Sequence, residues 1–149
     1  MERDYRPLRD EFHLTANGDA VRRARERVVG LARDWGTPLS EDTLDDLRLC
    51  VSELVANALE HAGGECRVSV VWGDETLLVE VADRSQRPPV MLSAGDELPS
   101  GRGLVLVDAL AGGWGWRPLP GGKVVYFAFP VGAVPTGRRG GPVAVGQRR

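Results

Sequence analysis

Glu53, Asn57 and His61 recur at four-residue steps within the stretch Val51 to Ala62. An α-helix advances about 100° per residue, so each step turns the side chain by only about 40°. The three therefore form one polar stripe: an acid, an amide and an imidazole in line. Leu47, Val51, Leu54, Ala58 and Ala62 fall on the neighbouring stripe, which is expected to pack inward. A carboxylate one turn from an amide, at the border of a core, suits a proton acceptor and a metal ion held near a phosphate. The chemically inert alternatives are a solvated helix glutamate and an Asn bonded to water or a loop. For His61 the expectation favours capping of the helix C-terminus, where a cation is welcome, over contact with a phosphate.

Further along, Asp83-Arg84-Ser85 closes an alternating apolar run, and Gly101-Arg102-Gly103-Leu104 opens a second apolar helix. A carboxylate after a strand either forms a turn or meets a ligand. Glycine lets backbone approach a phosphate, and a helix N-terminus offers free N–H groups and a positive dipole. Lys123, the only lysine in a chain with 19 lysines and arginines together, sits in a Gly-rich hairpin. It either stays solvated or reaches a phosphate. Trp114 and Trp116 are expected to pack the sheet rather than stack on a base.

The elements that must position these residues follow from periodicity. Glu11 to Leu14 reads as a short edge strand. Val21, Ala24, Val28, Leu31 and Trp35 mark a helix over 19–35, stopped by Gly36-Thr37-Pro38. Ser40 is placed as the N-cap of a second helix that ends at Gly63-Gly64, with Glu41 and Asp42 favoured by its dipole. Strands are expected at Cys66–Trp72 and Leu77–Val81 around Gly73-Asp74-Glu75, and a lid-like loop over 84–101. A short helix over 103–111 and a hairpin of 114–117 with 124–129 complete the chain. Helix, helix, strand, strand, helix, strand, strand excludes an alternating parallel sheet. It predicts an α+β two-layer sandwich, helices on one face of a mostly antiparallel mixed sheet. One domain is expected over 9–131, with a loose segment 1–8 and a disordered tail 135–149.

The chain has 149 residues, enough for one core without staples. Its net charge of −2 gives no general pull toward nucleic acid or anionic membrane. Cys50 and Cys66 lie at no metal-ligand spacing and read as reduced thiols of a cytoplasmic protein. No signal peptide and no membrane span is legible.

The ordered combination of the Glu53–Asn57 helix, Asp83-Arg84-Ser85 and Gly101-Arg102-Gly103 resembles the ATP-binding superfamily of gyrase, heat-shock chaperones, histidine kinases and mismatch-repair ATPases (GHKL, the Bergerat fold). It looks most like the anti-sigma-factor serine kinases, from about Phe12 to Val131. The resemblance implies ATP and Mg²⁺ as cofactors. It implies Glu53 as the catalytic base, Asn57 as the Mg²⁺ ligand, and Asp83 as acceptor of the adenine amino group, which guanine lacks. Ser85, Gly101, Arg102, Gly103 and Leu104, with Lys123 and His61, would complete the nucleotide site. It also implies a sigma factor and a STAS-type anti-anti-sigma antagonist as partners, and a homodimer, for which the helix over 19–35 is a candidate face. Relatives usually have Thr after the Gly-Lys of the last hairpin, joining the adenine–Asp network. Here that position is Val124, which neither donates nor accepts. A nucleotide-dependent binding module without kinase turnover is the rival reading.

Overall fold

Alternating and helical patterns resolve into β1 (Leu8–Thr15), α1 (Ala20–Asp34), α2 (Glu41–His61), β2 (Glu65–Gly73), β3 (Thr76–Asp83), α3 (Arg102–Leu110), β4 (Gly113–Leu119) and β5 (Gly122–Pro130). The structure is a computed structural model that describes residues 6–61, 63–89 and 102–131. The strands form a five-stranded sheet in the order β1-β2-β3-β5-β4. Every pairing among the described strands is antiparallel. The fold is the expected α+β sandwich, with a sheet that is wholly rather than mostly antiparallel.

Register decides what each face carries, because side chains alternate along a strand. Leu14, Cys66, Val68, Val70, Leu77, Val79, Val81, Val125, Phe127 and Phe129 share the face toward the helices and are buried. They meet Leu47, Val51, Leu54 and Ala58 of α2 and Leu104 and Val107 of α3 in one core. Those α2 residues are the stripe expected to pack inward. Ala62 of that stripe lies outside the described residues. Leu47 is fully buried, so Leu47→Ala would cost about 2–5 kcal/mol. Trp114 is buried in the same core, and its indole Nε1–H donates to Asp108 Oδ1 at 3.0 Å, fastening α3 to β4. Trp116 packs half-buried against that core, so both tryptophans do the expected packing.

Ser40 caps α2: its Oγ accepts from the Thr43 N–H at 3.1 Å, and its carbonyl from the Leu44 N–H at 2.9 Å. Gly63 and Gly64 follow the helix with φ of +79° and +85°, a region open to glycine and costly to other residues. Two expectations need correction. The first strand is twice the expected length, because it pairs with β2 continuously from Leu8↔Trp72 to Thr15↔Glu65; Leu8 thereby leaves the segment expected to be loose. The inner face of α1 is Ala20, Ala24, Val28, Val29 and Ala32, while Val21, Leu31 and Trp35 are half-buried at its flanks. Three alanines let that helix sit close against its neighbours. Among the described residues no helix packs on the opposite sheet face. It carries ion pairs instead, Arg67–Glu11 at 2.7 Å and Arg117–Glu80 at 3.3 Å.

Candidate functional site

Glu53 and Asn57 lie half-buried on α2, flanked by the buried Cys50, Leu54 and Ala58. The helix that presents them rests on β3 and β2 through that buried flank. Their position beside the core has an electrostatic trace. Burial, then the carboxylates of Asp46 and Glu53, push the Cys50 thiol up to about 12. His61 is the last residue of α2, and its side chain lies outside the described set. Glu60 is exposed, as expected.

Asp83 is the last residue of β3 and pairs in register with Lys123 of β5. Both share the parity of Val81 and Val125 and so lie on the helix-facing side of the sheet. The Lys123 ammonium donates to Asp83 Oδ1 at 3.0 Å and to Oδ2 at 3.1 Å. The two side chains are only 9% and 4% exposed. The Ser85 N–H adds a third hydrogen bond, to Oδ1 at 2.9 Å. Ser85 Oγ in turn accepts from the Arg87 N–H at 3.2 Å, so side chains fix the turn out of β3 one after the other. Burial, then the Asp83 charge, push the thiol of Cys66, on the neighbouring strand, up to about 12.

This arrangement corrects two expectations. Lys123 is not solvated; it is a buried partner of Asp83. Val124 is not the residue beside the aspartate. It pairs with Ala82 and points to the opposite face, 3% exposed. The residue facing Asp83 is Lys123. A signal for this was present in the composition: a chain that otherwise uses arginine spends its one lysine here.

The hairpin that delivers Lys123 turns at Pro120-Gly121, with Gly121 at φ +78°. Gly122 then passes so close to β3 that a Cβ there would overlap the Asp83 carbonyl oxygen and crowd the Arg84 Cα. Only glycine lets the two strands close at this point. A cavity of about 420 Å³ opens at these strand ends, lined among others by Asp83, Arg84, Cys66, His13 and Gly122. Residues of both strand parities line it, so it wraps around the end of β3. Glu53 and Asn57 are not among its lining residues.

Gly101 lies outside the described residues, as do the side chain of Arg102 and the surroundings of Gly103. The backbone of both opens α3. Leu104 is buried, and its side chain anchors the helix in the core; only its backbone could face a ligand. Among the described residues no group of three or more His, Cys, Asp or Glu could hold a metal ion. None of their helices is long and apolar enough to cross a membrane.

The model of the histidine kinase-like ATPase domain matches residues 14–129. No curated protein matches the chain significantly. The fold resembles the crystal structure of the RsbU and RsbW domains of Rv1364c from Mycobacterium tuberculosis, with a TM-score of 0.60 and 23% identity. The similarity covers 84% of this chain and 32% of that one, so the chain spans about a third of the protein it matches. A family match that runs unbroken through α2, β3, α3 and the closing hairpin places this chain in the histidine kinase-like ATPase domain family.

Proposed function

We propose that the chain is an ATP- and Mg²⁺-dependent serine protein kinase of the anti-sigma-factor type. The observation that carries this reading is the family match over residues 14–129, which takes in Glu53, Asn57, Asp83 and the start of α3 as one unit. Asp83 accepts the base and the backbone opening α3 at Arg102, Gly103 and Leu104 takes the phosphates; Gly101, outside the described residues, is assigned to the same role by the resemblance. The donor set fits Mg²⁺. That ion keeps several waters and takes one or two protein oxygens beside the phosphates, so the Asn57 amide oxygen suffices without an acidic cage. Bound there, the ion neutralises phosphate charge. Glu53, one turn away, takes the proton from a serine hydroxyl as its oxygen bonds to the γ-phosphorus and ADP leaves. The partners are a sigma factor, held from RNA polymerase, and a STAS-type antagonist phosphorylated on serine. The setting is cytoplasmic, and the chain acts as a homodimer.

One observation favours the rival, a nucleotide-dependent binding module without turnover. Lys123 already engages both oxygens of Asp83, so a base must share that carboxylate with the ammonium. Incubation with labelled ATP and candidate antagonists separates the two. Transfer to an antagonist that Glu53→Ala abolishes while ATP still binds supports the kinase. Tight ATP binding with no transfer to any antagonist supports the module. In either case Asn57→Ala is expected to weaken the Mg²⁺-dependent part of ATP binding about tenfold or more.

A further inference from the structure

We infer that the segment following β5, residues 132–149, lies across the sheet face on which no described helix packs, and covers it. The inference is independent of the nucleotide site. Three side chains support it: Ser69 is 6% exposed, Val124 3% and Tyr126 8%. All three project away from the helices, because their strand neighbours Val68, Val70, Val125 and Phe127 are the ones in the core. A sheet face left to water keeps its side chains accessible. These are not.

Register limits what the sheet itself can do to hide them. Val124 has Ala82 opposite it on β3 and Gly122 two residues before it on β5, both too small to wall it in. Its partner on β4, Arg117, is drawn aside: the guanidinium donates to Glu80 Oε2 at 3.3 Å and lies 5.8 Å from the centre of the Tyr126 ring. Tyr126 has Gly115 opposite it, and a Cβ there would meet the phenol, so the ring lies down over the glycine with its other side turned outward. Burial first raises that phenol above its ordinary range, against the pull of Arg117. Val71, Leu78 and Ala128 stand in one register row beside these residues, so an apolar lane crosses β2, β3 and β5.

A single chain produces this burial, so the cover is its own. Residues 1–5 precede β1, three strands away from β5. Residues 90–101 are tied at both ends, to the turn after β3 and to α3 on the helix side. Residues 132–149 continue from β5 itself. Pro130 pairs with Thr76, and the Val131 N–H donates to the Glu75 carbonyl at 2.9 Å, so the segment sets out from the middle of the sheet. The way back over β5 to Val124 is about 23 Å at strand spacing. The segment can reach about 59 Å when extended. It brings Val134, Val143 and Val145 and no acidic residue, which suits an apolar lane.

Hydroxyl-radical footprinting read by mass spectrometry tests this on the full chain and on a chain stopped after Val131. Tyr126 is the reporter, and Phe127, fully buried on the other face, is the control for folding. Without the segment Tyr126 is expected to react severalfold faster while Phe127 does not change. If the shortened chain does not fold, Phe127 reacts as well. The full chain with Val134→Asp, Val143→Asp and Val145→Asp then takes its place and should expose Tyr126 alone. Sedimentation at the same concentration gives the mass. Tyr126 equally protected in a monomer lacking the segment assigns the cover to the sheet's own side chains and overturns the inference. Equal protection in a dimer assigns the face to a second copy and overturns it too. So does a Tyr126 rate that the three substitutions leave unchanged.

Discussion

Removing Lys123 without removing Asp83 should be among the most damaging single changes in the sheet. In Lys123→Met the carboxylate stays where it is, 4% exposed, and of its three hydrogen bonds among the described residues keeps that from the Ser85 N–H. Breaking a buried ion pair from one side costs about 3–5 kcal/mol, because an uncompensated charge is left behind. The surviving Ser85 bond argues for the lower end, about 3 kcal/mol. With a urea slope of about 1–3 kcal/mol per molar, the unfolding midpoint should fall by about 1–3 M. Asp83→Asn together with Lys123→Met removes both charges and leaves an acceptor for Ser85. That double variant should recover most of the loss, and the cycle should return a coupling of about 2–4 kcal/mol. Urea unfolding of the four proteins at one pH measures it. A cost below about 1 kcal/mol for Lys123→Met, with coupling near zero, would refute the reasoning, since that is the behaviour of a solvent-exposed pair.

Two further expectations follow from groups outside the pair. Burial first, and carboxylate neighbours second, raise the thiols of Cys50 and Cys66 from 9.0 to about 12, so the folded chain holds protons that the unfolded chain releases. Their contribution is complete below about pH 9 and is lost as pH rises from there toward about 12. Urea midpoints should therefore fall with pH above about 9 and fall less steeply in Cys50→Ala/Cys66→Ala; equal slopes would show that the thiols are not sheltered. The β2–β3 turn places Asp74 and Glu75 at φ of +52° and +57°, where non-glycine residues are strained. Asp74→Asn with Glu75→Gly supplies the residues that such a two-residue hairpin favours and should add about 1 kcal/mol, raising the melting temperature by a few degrees. A melting temperature that is unchanged or lower would count against the strain.

The sequence carried most of the fold because its elements are strongly periodic. Leu47, Val51, Leu54 and Ala58 recur at helical spacing, and the same residues line the core. Ser40 announced its cap through residue type alone, and the hydroxyl is where that chemistry requires it. Register was less legible. Pairing of β3 with β5 joins residues at least 40 positions apart, and a slip of one residue exchanges the two faces of a strand. That one step separates the assignment of Val124 to the base site from its actual place on the opposite face. Gly122 marks the close approach, since a Cβ there would overlap the Asp83 carbonyl.

Lysine at this position also has a physical logic that arginine would not share. A guanidinium is a planar fork that meets a carboxylate with two parallel bonds, consuming both oxygens along one edge. An ammonium is compact and bonds both oxygens of Asp83 from a single atom. In the folded chain that nitrogen compensates the buried carboxylate. Under the proposed reading of Asp83 as the base acceptor, stability and base recognition are coupled at this pair. A ligand that donates to Asp83 relieves part of the penalty that Lys123→Met creates, so nucleotide should stabilise that variant more than its own affinity for the wild type would imply. If added ATP raises the urea midpoint of Lys123→Met no more than that of the wild type, the carboxylate is not the group that meets the base.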